Sequence, residues 1–180
     1  DVVACPGTDS CKLGITSAMG LGRATSERLE EMSITDPLTR RMHVKMSGCP
    51  NGCGQHHIAD IGFHGAAAKA PGGQVPAYEL FLGGSYDEGD SRLALRVKTR
   101  VPAKRVPDAI QKIIEFYQAE RGEGEQFKDF AARLGAPAFE PLLAEFKEVG
   151  ELNRDTIGTY IDWEKTVKYK LERGEGECAL

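Results

Sequence analysis

The sequence predicts an α/β fold, with α+β as its variant: one mixed sheet with flanking helices and a C-terminal helical tail. Three observations carry that expectation. Short apolar segments, some alternating with period two, dominate residues 1–101. After Pro107 the apolar period changes to that of a helix. Turns rich in Gly and Pro punctuate the chain, with no repeat and no low-complexity stretch. The resulting order is strand, helix, a run of strands, then helices.

The elements follow in order. Val2-Val3-Ala4 is an extended apolar opening. Lys12 to about Met32 reads as a helix with Leu29 and Met32 on one face, broken or kinked at Gly20 and Gly22. Arg40 to Met46 alternates through Met42, Val44 and Met46 and reads as a strand. Ile58–Phe63 and Ala77–Leu82 read as two more, joined by a loop over residues 65–76 rich in Ala, Pro and Gly. Arg92–Val101 places Leu93, Leu95, Val97 and Val101 on one side and Arg92, Arg96, Lys98 and Arg100 on the other. Pro107-Asp108 opens a helix carrying Ile110, Ile113, Ile114 and Tyr117, ending near Gly122. Phe127, Phe130, Ala131 and Leu134 mark a second helix stopped by Gly135, and residues 141–149 a third. The stretch through Trp163 and Tyr169 to Leu171 reads either as a last strand or as an extended arm. Residues 1–121 are expected to form the working domain and residues 122–180 a helical extension.

Composition narrows the function. The 180 residues suffice for one domain with a core, and 41% hydrophobic with 28% charged residues is a globular composition. No apolar run approaches the roughly 20 residues a spanning helix needs. With 23 Lys and Arg against 27 Asp and Glu, the net charge of −4 lacks the basic footprint of a nucleic-acid binder. The chain starts at Asp1 without Met and reaches its densest motif at once, as expected of a piece of a longer protein.

The informative residues are five cysteines: Cys5 and Cys11, Cys49 and Cys53, and Cys178 near the end. A disulfide framework suits small secreted domains, whereas this count is odd and no export signal is present. A zinc site accommodates the C-x3-C pair, but C-x5-C is wider than zinc spacings usually run. An iron–sulfur cluster takes four thiolates at spacings that differ between families. Both pairs sit among Pro and Gly, in Cys5-Pro6-Gly7 and Gly48-Cys49-Pro50-Asn51-Gly52-Cys53-Gly54. Glycine lets the main chain approach a bulky inorganic centre, and tight loops aim N–H groups at sulfur. Chemistry therefore favours the cluster.

The segments VACPGTDSCKLG and MSGCPNGCGQHHIADIGF closely resemble the sirohaem- and [4Fe-4S]-containing sulfite and nitrite reductases. The resemblance extends from residue 1 to about residue 121. It implies that Cys5, Cys11, Cys49 and Cys53 ligate the cluster, and that Cys53 also serves as axial ligand to the sirohaem iron, which makes it the catalytic position. Asn51, Gly52, Gly54 and Gln55 are then expected to contact the cofactors. The implied activity is six-electron reduction of sulfite to sulfide or nitrite to ammonia, in the cytoplasm, with neither nucleic acid nor membrane as partner. In the family the substrate-gripping Arg and Lys residues come largely from an N-terminal half ahead of the first cysteine. The chain thus resembles the C-terminal portion, with that half or subunit as its partner. The alternative from another class is a non-catalytic protein: a stand-alone iron–sulfur electron carrier or a zinc-stabilised interaction domain.

Four further features remain. Arg96, Lys98 and Arg100 lie in a stretch, residues 91–107, that has no acid, and are expected to dock an acidic one-electron donor such as ferredoxin or to contact sirohaem carboxylates. Adjacent His56 and His57 are expected on opposite sides of a strand, as structural residues. Lys12, Arg23 and Lys45 sit in the motif region, where they could offset thiolate charge. Cys178 is expected to be a free thiol in a polar tail.

Overall fold

In the computed structural model, which describes residues 1–172, a five-stranded sheet runs in the order β1-β2-β3-β4-β7. β1 (Val2–Ala4), β2 (Val44–Ser47) and the start of β3 (Ile61–Ala70) are parallel, while β4 (Gly73–Leu82) and β7 (Leu95–Pro102) run antiparallel. The mixed α/β expectation is met. β5 (Ser85–Asp87) and β6 (Asp90–Arg92) form a separate hairpin.

One face of the sheet carries the core. Val44, Met46, Ile61, Phe63, Tyr78, Leu80, Leu82, Val97 and Val101 point into it. They meet Leu21 of α1 (Ala18–Glu31) and the apolar faces of α3 (Val106–Glu120), α4 (Phe127–Leu134) and α5 (Glu140–Lys147). α3 buries Ile110, Ile113, Ile114 and Tyr117, as their spacing predicts. The short α2 (Pro37–Arg40) is capped by Asp36, whose side chain accepts from the Thr39 amide.

Several boundaries differ from expectation for physical reasons. The first helix begins at Ala18 because Ser17 caps it, its side chain accepting from the Gly20 amide. Gly20 and Gly22 do not break it. A Cβ on Gly20 would stand 2.6 Å from the Cβ of Trp163, and one on Gly22 would stand 3.0 Å from that of Ala4, so both glycines admit close neighbours. The expected loop over 65–76 is mostly strand, β3 and β4 pairing from Ile61↔Leu82 to Ala70↔Gly73. Pro76 is tolerated because β4 pairs with β7 only from Ala77 onward, leaving its missing N–H on an unpaired edge. Leu93 is not on the apolar side of a strand: it falls between β6 and β7 and is 71% exposed.

The tail is helical only to Lys147. Beyond it an extended arm with one 3₁₀ turn, Ile157–Tyr160, returns to the first cysteine loop. Buried Asp162 accepts N–H from Ser17 and Trp163, both at 2.8 Å. The Trp163 indole donates to Ala103 O at 2.8 Å, the Tyr169 hydroxyl to Ile15 O at 3.0 Å, and Lys165 pairs with Asp9 at 2.8 Å. A Cβ on Gly72 would meet Leu152 and Tyr160, so this turn too is shaped to the arm. Among the described residues no helix is long and apolar enough to cross a membrane. Cys178 lies outside the described residues.

Candidate functional site

The topology explains why two cysteine pairs separated by 37 residues stand on neighbouring loops. β1 and β2 are adjacent and parallel, Ala4 beside Met46, and α1 and α2 lie in the connection between them. Each cysteine loop therefore leaves the C-terminal end of its strand at the same edge, where open α/β sheets place their sites. The Cys5 amide donates to Met46 O at 3.0 Å.

Two glycines then join the loops backbone to backbone. Gly7 has φ +57°, and a Cβ on Gly48 would stand 2.5 Å from the Gly7 Cα. Ile15 and Thr16 donate their amides to Gly48 O at 2.8 and 3.1 Å. Any side chain at Gly48 would push the loops, and with them the thiols, apart.

Cys5, Cys11, Cys49 and Cys53 all stand as free thiols. The Gly48 amide donates to Cys5 Sγ at 3.1 Å. Burial pushes the Cys49 thiol up from its ordinary value, the Asn51 amide pulls it back, and Cys5, Cys11 and Cys53 push it further. Among the described residues no three His, Cys, Asp or Glu side chains gather closely enough for a single metal ion. An amide donated to Cys5 Sγ and glycine backbones at the approach suit a cluster, whose sulfurs take N–H hydrogen bonds and whose bulk needs close main-chain passage. Cys11 and Cys53 are exposed, Cys5 is half-buried and Cys49 is buried.

The residues around Cys53 divide. Gly52 has φ +78°, a left-handed position that favours glycine. A Cβ on Gly54 would sit 1.9 Å from Met46 O, so that glycine exists for close approach. Asn51 is exposed. Gln55 holds a left-handed φ of 61°, and its Oε1 accepts from Lys45 Nζ at 3.1 Å.

His56 and His57 correct an expectation. They lie in a 3₁₀ turn, His56–Ile58, and not in a strand, so their rings stand together with centroids 3.8 Å apart. His56 is fully buried and its Nδ1 is 2.9 Å from Ser47 Oγ, which also accepts the Gly54 amide at 3.0 Å. His56 is thus structural as expected at Nδ1, but its buried Nε2 has no partner. Burial, then His57 and His64, pull its pKa down to about 3, so it is neutral near pH 7.

The face of the sheet opposite the core carries two rows that sequence reasoning missed. Across the strands Ser47, His64, Glu79 and Arg100 stand side by side, as do Lys45, Gly62, Phe81 and Arg96. Glu79 is buried and binds Arg96 at 2.6 Å and Arg100 at 2.8 Å. Burial raises its pKa, but the Arg100 hydrogen bond and the Arg96 charge outweigh that, and the net shift is downward. Both arginines remain more than half exposed, and Lys98 is exposed on the same strand. Alternation showed these residues leaving the core. Only strand register, invisible in one sequence, showed that they form rows.

Residues 1–152 match the sequence profile of the family described as "Nitrite and sulphite reductase 4Fe-4S domain". The chain belongs to that family. Within the nitrite and sulphite reductase family, it is 31% identical over 134 residues to the sulfite reductase (NADPH) hemoprotein beta-component of Bacillus licheniformis, covering 74% of this chain and 22% of that protein. It is 29% identical over 175 residues to the sulfite reductase (ferredoxin) of Synechococcus elongatus, covering 95% of this chain and 26% of that protein. The NirA protein of Mycobacterium tuberculosis superposes with a TM-score of 0.65 at 28% identity, over 76% of this chain and 26% of that one. The chain therefore spans about a quarter of the length of the relatives it matches.

Proposed function

We propose that this chain is the cofactor-bearing portion of a cytoplasmic sulfite or nitrite reductase, with residues 1–121 holding the cofactors and the extension that follows, over residues 122–172, bracing them. Cys5, Cys11, Cys49 and Cys53 would ligate a [4Fe-4S] cluster, and Cys53 would share its thiolate with a sirohaem iron. Those groups, when bound, supply one-electron storage and the iron at which the anion is reduced by six electrons. The observation that carries the reading is the placement of four free thiols on two loops that leave adjacent parallel strands at one sheet edge and touch at Gly7 and Gly48, with an amide donated to Cys5 Sγ.

The remaining roles belong to this chain's residues. Gly52 and Gly54 let the backbone pass close beside Cys53, and the Asn51 side chain is exposed for a cofactor contact. Lys45 holds Gln55 beside the loop. Arg96 and Arg100, fixed by Glu79 on the face that also bears the Cys53 loop, suit the carboxylates of the macrocycle, since a guanidinium fork pairs with carboxylate in two bonds. The rest of the reductase polypeptide, or a separate subunit, would complete the grip on sulfite or nitrite, and a ferredoxin-type protein would supply single electrons.

Optical and electron-paramagnetic-resonance spectra of the full-length reductase test this. Macrocycle bands and a coupled cluster–haem signal, both lost in Cys53→Ser, are expected. A broad brown spectrum without macrocycle bands would instead indicate a stand-alone electron carrier, and a colourless zinc protein would indicate an interaction domain.

A further inference from the structure

We propose that Asp162 and Tyr169, on the extended arm, are positioning residues for the cluster: they clamp residues 15–17, the segment that joins the two cysteine loops, and so hold the loop of Cys5 and Cys11 against that of Cys49 and Cys53. This rests on the cluster reading above and names what keeps that centre assembled. Both residues lie beyond residue 152, where the match to the family's domain ends.

Residues 15–17 touch both loops through their backbone. Ile15 and Thr16 donate to Gly48 O in the second loop at 2.8 and 3.1 Å, and Thr16 O accepts the Thr8 amide of the first at 3.0 Å. The segment has no slack on that side. A Cβ on Gly7 would stand 2.3 Å from Thr16 O, one on Gly48 2.8 Å from it, and one on Gly65 2.2 Å from Thr16 Oγ1. Three glycines thus seat Thr16 against main chain, and both Thr16 and Ser17 are fully buried.

The groups that point the other way are held by the arm. Ile15 O accepts the Tyr169 hydroxyl at 3.0 Å, and the Ser17 amide donates to Asp162 Oδ2 at 2.8 Å. A buried backbone group left without a partner is costly, so loss of either arm contact favours lifting the segment toward water and away from the loops. The clamps are themselves fixed. Asp162 is buried, and its second oxygen accepts the Trp163 amide at 2.8 Å. The Trp163 indole donates to Ala103 O, Lys104 Nζ lies 4.2 Å from its ring, and the Tyr169 amide donates to Tyr160 O at 2.6 Å. The arm therefore acts on the thiols as outer partners act on metal ligands, by fixing the backbone that carries them.

The full-length reductase carrying its cofactors tests this through the anaerobic rate of iron release to a ferrous chelator. Asp162→Ala and Tyr169→Phe should each release iron about tenfold faster or more, with a broadened paramagnetic resonance from the reduced cluster and an unchanged circular-dichroism spectrum. Asp162→Asn keeps one oxygen for the Ser17 amide and should recover most of that loss. Tyr160→Phe is the control, because its hydroxyl accepts the Gly72 amide and donates to Gly150 O earlier in the arm. It loosens the arm without touching residues 15–17, so its release rate should stay within about twofold. Unchanged release in Asp162→Ala and Tyr169→Phe would overturn the clamp, and so would equal acceleration by Tyr160→Phe. Where Asp162→Ala does not fold, Tyr169→Phe decides alone, since it removes only a hydroxyl. An unaltered enzyme that contains no acid-labile sulfide would overturn the cluster reading instead.

Discussion

The two faces of the sheet use the same strands for opposite ends. One face, from Val44 and Met46 across to Val97 and Val101, is apolar and closed by four helices. The other carries Lys45, Ser47, His64, Glu79, Arg96 and Arg100 in register, overlain at one side by the turn at His56. The first face stabilises through area removed from water. The second contributes organisation: each polar group holds a neighbour in place, and the cysteine loop is the last member of that chain of contacts. Stability and site geometry are therefore separable by substitution.

Phe63→Ala, on the closed face, should have the largest effect, costing about 3–5 kcal/mol by transfer loss and cavity formation. Urea denaturation measures it, and a loss under about 1 kcal/mol would contradict the packing described. Glu79→Gln, on the open face, should cost about 1–2 kcal/mol, since the carboxylate is buried but its partners are half in solvent. Its pKa is depressed on folding, so this contribution is present above the unfolded carboxylate value and is lost as pH falls through the lowered one. The glutamine variant should show a shallower acid limb there.

His56 sharpens the contrast through a different pH window. Its pKa falls from 6.5 to about 3 on burial, so the unfolded chain takes up a proton that the folded chain refuses. Stability should decline as pH falls from 6.5 toward 3, and His56→Gln should remove that slope. An unchanged slope would show that the ring is not held neutral. The smallest effect is expected at Gly20→Ala. A Cβ 2.6 Å from that of Trp163 must displace the arm, offsetting the helix-propensity gain of about 1 kcal/mol. The net change by thermal melting should be near zero or mildly destabilising, with increased proteolysis confined to residues 148–172.

How far the sequence disclosed this molecule depended on the range of each signal. Local patterns succeeded: the Ile110–Tyr117 spacing gave α3, Gly135 ended α4, and the two Gly-Pro cysteine motifs are loops that lie side by side at one sheet edge. Signals that need a partner failed. Alanines at 66–68 and Pro76 look like loop until β3 and β4 pair. Gly20 looks like a helix breaker until Trp163 packs on it. His56 and His57 look like strand neighbours until Gly54 and Gly62, with no side chains, let the turn lie flat against the sheet. Glu79 carried no mark, because its role is defined wholly by what lies across the strands.

The central claim is that two loops gathered at one sheet edge hold a single cluster. Anaerobic reconstitution of this chain with iron and sulfide, followed by counting both per chain, tests it most directly. About four of each are expected, falling sharply when Cys49 is replaced by Ser, with the fold retained by circular dichroism. One metal ion per chain without sulfide, or an iron content indifferent to Cys49→Ser, would contradict it.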